Sequence, residues 1–299
     1  MCDSLRSLAH APDCQAYLDD LSIELSVAVT AEIVGLSDSR RRGLAKRLNS
    51  FLADKEQWNV GKVATFVRLV FGSYRILRFF LCDVMPAIRS RRVARREDII
   101  SHLIAQGCSN REILTECITY GAAGVATTRE LIGVAAWHLF DRMDLRMRFL
   151  SGDEIDRITI LEEILRLEPV VGLLYRRAEQ NLILDNDGRP EHISAGTLLA
   201  IDIRAVNADR AAAGLCPHRL DPNRRILGRR FPRSLMSFGD GPHRCPGAAV
   251  ALLESVIFLN HLFRVPGIHL AQTPTITSNP LVGSYELRGA IVECNQRLQ

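Results

Sequence analysis

Residues Phe238 to Gly247 read FGDGPHRCPG and hold three glycines, two prolines, one histidine and a single cysteine. So much glycine and proline around one thiol has to present Cys245 in a particular way. A zinc site needs three or four ligands, and His243 with Cys245 gives only two at a cramped spacing. No CxxCH run is present for covalent haem attachment. Gly239-Asp240-Gly241 precedes a helical stretch but lacks the strand, third glycine and lysine of a phosphate loop. A buried structural cysteine has no use for the glycines. A nucleophile stays open, because Cys245 lies just before a helix expected to begin near Gly247. A thiolate ligand to a haem iron accounts for more of the pattern. Glycines let the backbone approach a flat ring, and the start of a helix tunes the charge on the sulfur.

The surrounding chain has 299 residues, 47% hydrophobic and 24% charged, the make-up of a globular protein with a large core. Its net charge of +4 is too small to suggest nucleic acid. Only three of its 38 basic residues are lysines, Lys46, Lys55 and Lys62. The eight cysteines are scattered without a CxxC pair, and no secretory leader is visible, so a reduced cytoplasmic chain is expected. The apolar run 66–88 is interrupted by Arg68, Arg75, Arg78 and Asp83, so no transmembrane segment is expected.

Helical periodicity covers 18–35, 38–54 and 60–94, the last ending in an arginine cluster, Arg89 to Arg96, that reads as a solvated helix end. Ser109-Asn110-Arg111-Glu112 is a capping box that opens a long proline-free helix, about 109–142. Within it Gly121-Ala122-Ala123-Gly124 has almost no bulk, which fits either close helix packing or a ligand lying alongside. Ser151-Gly152-Asp153-Glu154 reads as a second capping box, opening a helix to about Leu167 that carries Glu163 and Arg166. Short strands are expected at 170–184 and 198–203, turns at Asn186-Asp187-Gly188 and Ala195-Gly196, and a strong final helix after Gly247. Helices first and strands later give an α+β class, mainly α, as one domain over 1–299 with a helical part, 1–150, and a mixed part, 151–299.

The loop then resembles the haem loop of the cytochrome P450 family, F-x-x-G-x-[HR]-x-C-x-G, matched at Phe238, Gly241, His243, Cys245 and Gly247, with Gly239 and the histidine typical of the bacterial soluble type. Glu163-x-x-Arg166 resembles the ExxR helix, and Pro217-His218-Arg219-Leu220 the later element whose arginine joins it. The resemblance implies a structural triad of Glu163, Arg166 and Arg219. It implies haem b (iron protoporphyrin IX) held by Cys245 as axial ligand. Arg176 and His243 would serve the propionates, and Phe238, Gly239 and Gly247 would shape the loop. The long helix resembles the distal helix, with Ala123 and Gly124 making room for oxygen and Thr127 as the distal threonine. Ala126 departs from the family, which places an acid before that threonine; Glu130 is one turn on and reads as solvated. Relative to the family the first strands and first helices are expected to be missing. The implied activity is a monooxygenase acting on a small lipophilic substrate with electrons from a ferredoxin. Arg224, Arg225, Arg229, Arg230, Arg233 and Arg244 would form a basic face for it. The alternative is a haem-binding remnant without monooxygenase activity.

Overall fold

A computed structural model of the chain describes residues 14–37, 43–44, 47–48, 72–186, 188–227, 232–280 and 282–294. The helix expected over 38–54 and the beginning of the one expected over 60–94 fall outside these, apart from 43, 44, 47 and 48. No described helix is long and apolar enough to cross a membrane. The chain divides into two compact units, Met1–Ile132 with His261–His269 and Ile291–Gln299, and Gly133–Asn260 with Leu270–Ala290.

In the first unit a short strand β1 (Cys14–Tyr17) leads into helix α1 (Leu18–Val34). Gly35 ends α1 with φ +95°, its N–H bonded to the Ala31 carbonyl. Only glycine serves here, because a Cβ would also come within 2.6 Å of the Asp98 carboxylate. Residues 72–79 are helical and pass through a π-helical turn, Phe80–Val84, into α2 (Met85–Val93). Asp83 lies buried in that turn, and its carboxylate takes Nε and Nη2 of Arg47, each at 2.6 Å.

Next come α3 (Ile99–Ala105) and the long α4 (Asn110–Asp141). The expected capping box at the head of α4 is formed: the Ser109 N–H donates to Glu112 Oε2 at 2.7 Å, and the Glu112 N–H to Ser109 Oγ at 3.3 Å. The core of this unit gathers Val27, Val34, Phe79, Ile88, Ile100, Ile113 and Val125. The arginine cluster is only partly a solvated helix end, because Arg91 is buried. It donates to Asp98 and, at 3.2 Å, to the Gly35 carbonyl, tying α2 to the end of α1.

In the second unit α4 runs out and α5 (Met143–Ser151) and α6 (Glu154–Leu167) follow. The second capping box is not used. Ser151 closes α5 by donating to the Met147 carbonyl, and Asp153 caps α6 by accepting the Asp156 N–H at 2.8 Å. The side chain one residue from the helix start, not three, has the right reach.

Strands β2 (Leu173–Arg177) and β5 (Leu198–Asp202) pair antiparallel, and so do β3 (Leu182–Asn186) and β4 (Arg189–Ile193), while Asp187 of the turn expected between them lies outside the described residues. Two short helices follow, α7 (Ile203–Asn207) and α8 (Arg210–Ala213). After the cysteine loop comes α9 (Ala248–Leu262), then strand β6 (Ile268–Gln272). Strands β7 (Thr275–Asn279) and β8 (Ser284–Arg288) form a hairpin, and β9 (Ile291–Cys294) is last. Strand β9 lies between β1 and β6. The helix-rich first part and strand-bearing second part make the α+β class expected.

Candidate functional site

The second unit builds the cysteine loop from its inner end. The Gly239 N–H donates to Met236 O at 2.9 Å, and Gly239 and Gly241 take φ +69° and +63°. Those left-handed conformations let the chain reverse twice within three residues. A single 3-10 turn, Gly241–His243, then carries the chain on, and the Cys245 N–H closes the loop on the Phe238 carbonyl at 2.8 Å. Cys245 is exposed, three residues ahead of α9. A Cβ at Gly247 would touch the sulfur at 3.9 Å, so the glycine leaves that side of it bare.

On α9 the exposed residues Val250, Leu253 and Ile257 fall at i, i+3 and i+7, one apolar stripe leading away from the loop. Strand β2 lies against the loop from another side, with Leu174 Cδ1 at 4.0 Å from where a Gly239 Cβ would be. Arg176 shares the Leu174 face of that strand and is half-buried, one guanidinium nitrogen bonded to the Tyr175 carbonyl at 2.8 Å. His243 is exposed at the end of the 3-10 turn.

Behind the loop stands a buried polar network. Arg166 grips Glu163 through Nε at 2.8 Å and Nη2 at 2.9 Å, both residues on α6 and both buried. The expected third member is corrected. Arg219 is exposed and offers only its backbone carbonyl, to Arg166 Nη2 at 3.5 Å and to Arg224. The third guanidinium is that of Arg224, buried, with Nε at 3.1 Å from Glu163 Oε1. The Asp221 N–H adds a further bond to the same oxygen at 3.0 Å. Arg224 also donates to the carbonyls of Ala213, Leu215 and Cys216, so the irregular segment 213–224 is wound around one cation.

Asn207 joins this network to the loop, and nothing in the motif reading pointed to it. Wholly buried, it donates to the Arg166 carbonyl at 3.0 Å and to Ser237 Oγ at 2.8 Å, and accepts the Met236 N–H at 2.9 Å. Ser237 in turn donates to the Leu165 carbonyl at 2.8 Å. The residue before Phe238 is thus bolted to α6. The one available signal was an amide in an otherwise small and apolar run, Ala205-Val206-Asn207-Ala208.

The first unit holds the other residues expected to matter, all on α4. Thr127 Oγ1 donates to the Ala123 carbonyl at 2.6 Å, and Ala123 is exposed. These two residues, four apart, occupy one face. Gly124, expected to make room for oxygen, stands where α4 meets α1. A Cβ at Gly124 would lie 2.9 Å from Thr30 Oγ1 on α1, and one at Gly121 would lie 2.9 Å from Leu48 Cδ2. Both glycines are sites of close helix approach. Glu130 is not solvated either: its Oε1 accepts Arg129 Nη2 at 3.0 Å, with both side chains largely buried.

Of the arginines expected to form a basic face, Arg224 is buried, Arg225, Arg233 and Arg244 are exposed, and Arg229 and Arg230 lie outside the described residues. Among the described residues no three or more His, Cys, Asp and Glu gather as ligands for a metal ion. The donor set at Cys245 is therefore a single exposed thiol on a glycine-bare loop beside apolar surface, which fits an axial ligand to haem iron and does not fit a zinc site.

Residues 159–283, which run from the Glu163 helix through the cysteine loop, match the cytochrome P450 family. Cytochrome P450 144 of Mycobacterium tuberculosis is 29% identical over 260 residues, covering 83% of this chain and 54% of the relative. Cytochrome P450 130 of the same organism is 30% identical over 210 residues, covering 67% of this chain and 48% of the relative. The chain thus spans about half the length of the curated relatives it matches. Among solved structures, the cytochrome P450 enzyme CYP109B1 of Bacillus subtilis superposes with a TM-score of 0.78 at 23% identity, over 97% of this chain and 75% of the other. Family segment, relatives and fold agree, and the chain belongs to the cytochrome P450 family.

Proposed function

We propose that the chain is a haem-thiolate protein of the monooxygenase type, with Cys245 as the axial ligand. The observation that carries this is the exposed Cys245 thiol on a loop closed by its own N–H on Phe238 and held from behind by Asn207 and Ser237. Haem b held there would supply the activation of dioxygen, one atom of which would enter the substrate. Cys245 would hold the iron through its sulfur, presented three residues ahead of α9. Phe238 keeps water from the sulfur, and Gly239 and Gly247 let the ring approach. Arg176 and His243 bind the propionates; the shared face of Leu174 and Arg176 beside the loop supports the first assignment. On α4, Thr127 positions a proton donor and Ala123 leaves space beside it. The substrate is a small lipophilic molecule. Electrons come from a ferredoxin, which meets the exposed Arg225, Arg233 and Arg244.

The test is the carbon monoxide difference spectrum of the reduced, purified chain. A thiolate-type Soret band is expected, and Cys245→Ala abolishes it. Haem binding with no such band, or a band unchanged in Cys245→Ala, overturns the assignment.

A second reading has an observation of its own. Ala126 carries no acid, and Glu130 is tied to Arg129. A haem-binding protein without monooxygenase activity would need no proton relay, whose usual contribution is about 10²–10⁴-fold. A normal carbon monoxide spectrum with no oxygen-dependent substrate turnover, under ferredoxin and under peroxide alike, selects it.

A further inference from the structure

A cavity of about 450 Å³ opens along the helical stretch from Tyr74 to Arg89. All the described residues that line it come from that stretch, so they belong to the first unit. Its volume falls within the range of about 300–1,000 Å³ that small-molecule sites occupy. Tyr74, Leu77, Leu81 and Pro86 give it apolar walls, and the first three are each more than half exposed. Those three recur at i, i+3 and i+7, a stripe that a helix ordinarily turns to a core. Leu81 and Cys82 stand in the π-helical turn, an irregularity that recurs at functional sites. The charged groups at the cavity are all of one sign. Arg78 and Arg89 line it, both exposed, and no acidic residue does so among the described residues. The buried arginines of the same unit meet carboxylates of the chain, Arg47 with Asp83 and Arg91 with Asp98. Among the described residues Arg78 and Arg89 have no such counter-charge.

We propose that this cavity binds a free fatty carboxylate, its head paired with Arg78 and Arg89 and its chain laid on Tyr74, Leu77 and Leu81. Two cations beside an apolar wall select a ligand with negative charge at one end and hydrocarbon at the other. A guanidinium fork matches a carboxylate through two parallel N–H···O bonds. The apolar walls lower the local dielectric, which makes that pairing stronger than on open surface. Covering the exposed stripe with hydrocarbon removes it from water. A membrane offers the same chemistry, but a helix that lies on a lipid surface presents a continuous apolar face, and this site is a cavity of limited volume with an arginine set within the stripe. None of the residues assigned to haem lines the cavity, so the inference stands whether or not the chain binds it.

Cys82 lines the cavity and is half-buried, so its alkylation reports occupancy. The purified chain is treated with a thiol reagent in the presence of decanoate or decanol, and the labelling rate of each cysteine is read by mass spectrometry. At about ten times its Kd, decanoate is expected to slow the labelling of Cys82 about 10-fold, because only the unoccupied fraction reacts. The exposed Cys216 reacts as before. Arg78→Gln and Arg89→Gln are each expected to raise the decanoate concentration that halves the Cys82 rate by about 10-fold. Both positions are exposed, and an unchanged labelling rate without ligand verifies that the variants are folded. Decanol keeps the chain and lacks the charge, so it protects only at concentrations about 10-fold higher. Equal protection by decanol overturns the proposal, as does decanoate protection undiminished in both arginine variants. So does a Cys82 rate that decanoate leaves unchanged, or one that only phosphatidylglycerol vesicles slow, which would assign the face to a membrane.

Discussion

Glu163 shows how far a motif identifies a single residue. The spacing Glu163-x-x-Arg166 placed two charges on one face of a helix, and the structure finds both buried and joined. Which third arginine completes the site was not legible, because Arg219 and Arg224 lie five residues apart in an irregular segment with no periodicity to orient them. Burial decides it: Arg224 is inside and Arg219 is outside. Removing one partner of a buried charge network leaves an uncompensated charge, at a cost of about 3–5 kcal/mol. Arg224→Ala is therefore expected to lose that much stability in denaturant unfolding. Arg219→Ala keeps the carbonyl that the network uses and is expected to change stability by only about 0.5 kcal/mol. Equal losses from the two variants would show that the Arg219 side chain, not its backbone, supports the site. Asn207 escaped sequence reading for a related reason: its role comes from where the chain folds back on α6, and no local pattern encodes that.

At the scale of elements, what repeats locally was legible and what depends on a neighbour was not. The Ser109 box and the long α4 follow from propensity and capping within one segment. The Ser151 box has the same sequence form but loses to Asp153, whose carboxylate stands nearer the first free amides of α6. The small residues of α4 illustrate the second case. Close packing and a ligand were both compatible with Gly124 in the sequence, and the structure brings α1 against it. Alanine in a helix interior is favoured over glycine by about 1 kcal/mol, so Gly124→Ala ought to stabilise an isolated α4. In the folded protein the new Cβ meets Thr30 Oγ1 at 2.9 Å, and a β-branched side chain on a helix has few rotamers by which to yield. Overpacking wins, and a net loss of about 1–3 kcal/mol is expected. In a Thr30→Ala background the obstacle is gone, and Gly124→Ala is expected to be neutral or stabilising. A double-mutant cycle measured by chemical unfolding reads the coupling. Additive effects would show that the two helices do not meet at these residues.

At the scale of the molecule, the helix-first, strand-later order was enough for the α+β class. The division within α4 at Ile132–Gly133 was not visible, since the helix runs through it without a break in composition. Buried groups that carry no motif set how the whole fold answers to solvent, and Cys117 is the clearest of them. It sits on α4 in the core of the first unit, completely buried, and burial pushes its thiol up to about 12, with Glu116 and Asp98 adding to the shift. Unfolded, the same thiol ionises near its ordinary value of 9.0. Between those two values the native state keeps a proton that the unfolded state has lost. Stability is therefore full below about pH 9 and falls as pH rises toward 12, by about 1 kcal/mol per pH unit from this one group. Urea unfolding of the chain from pH 8 upward should show that decline. Cys117→Ala removes the group, so its stability, lower at pH 8 because of the cavity, should fall less steeply by about one proton's worth. Parallel slopes in the two proteins would mean that Cys117 ionises as readily in the folded chain as in the unfolded one.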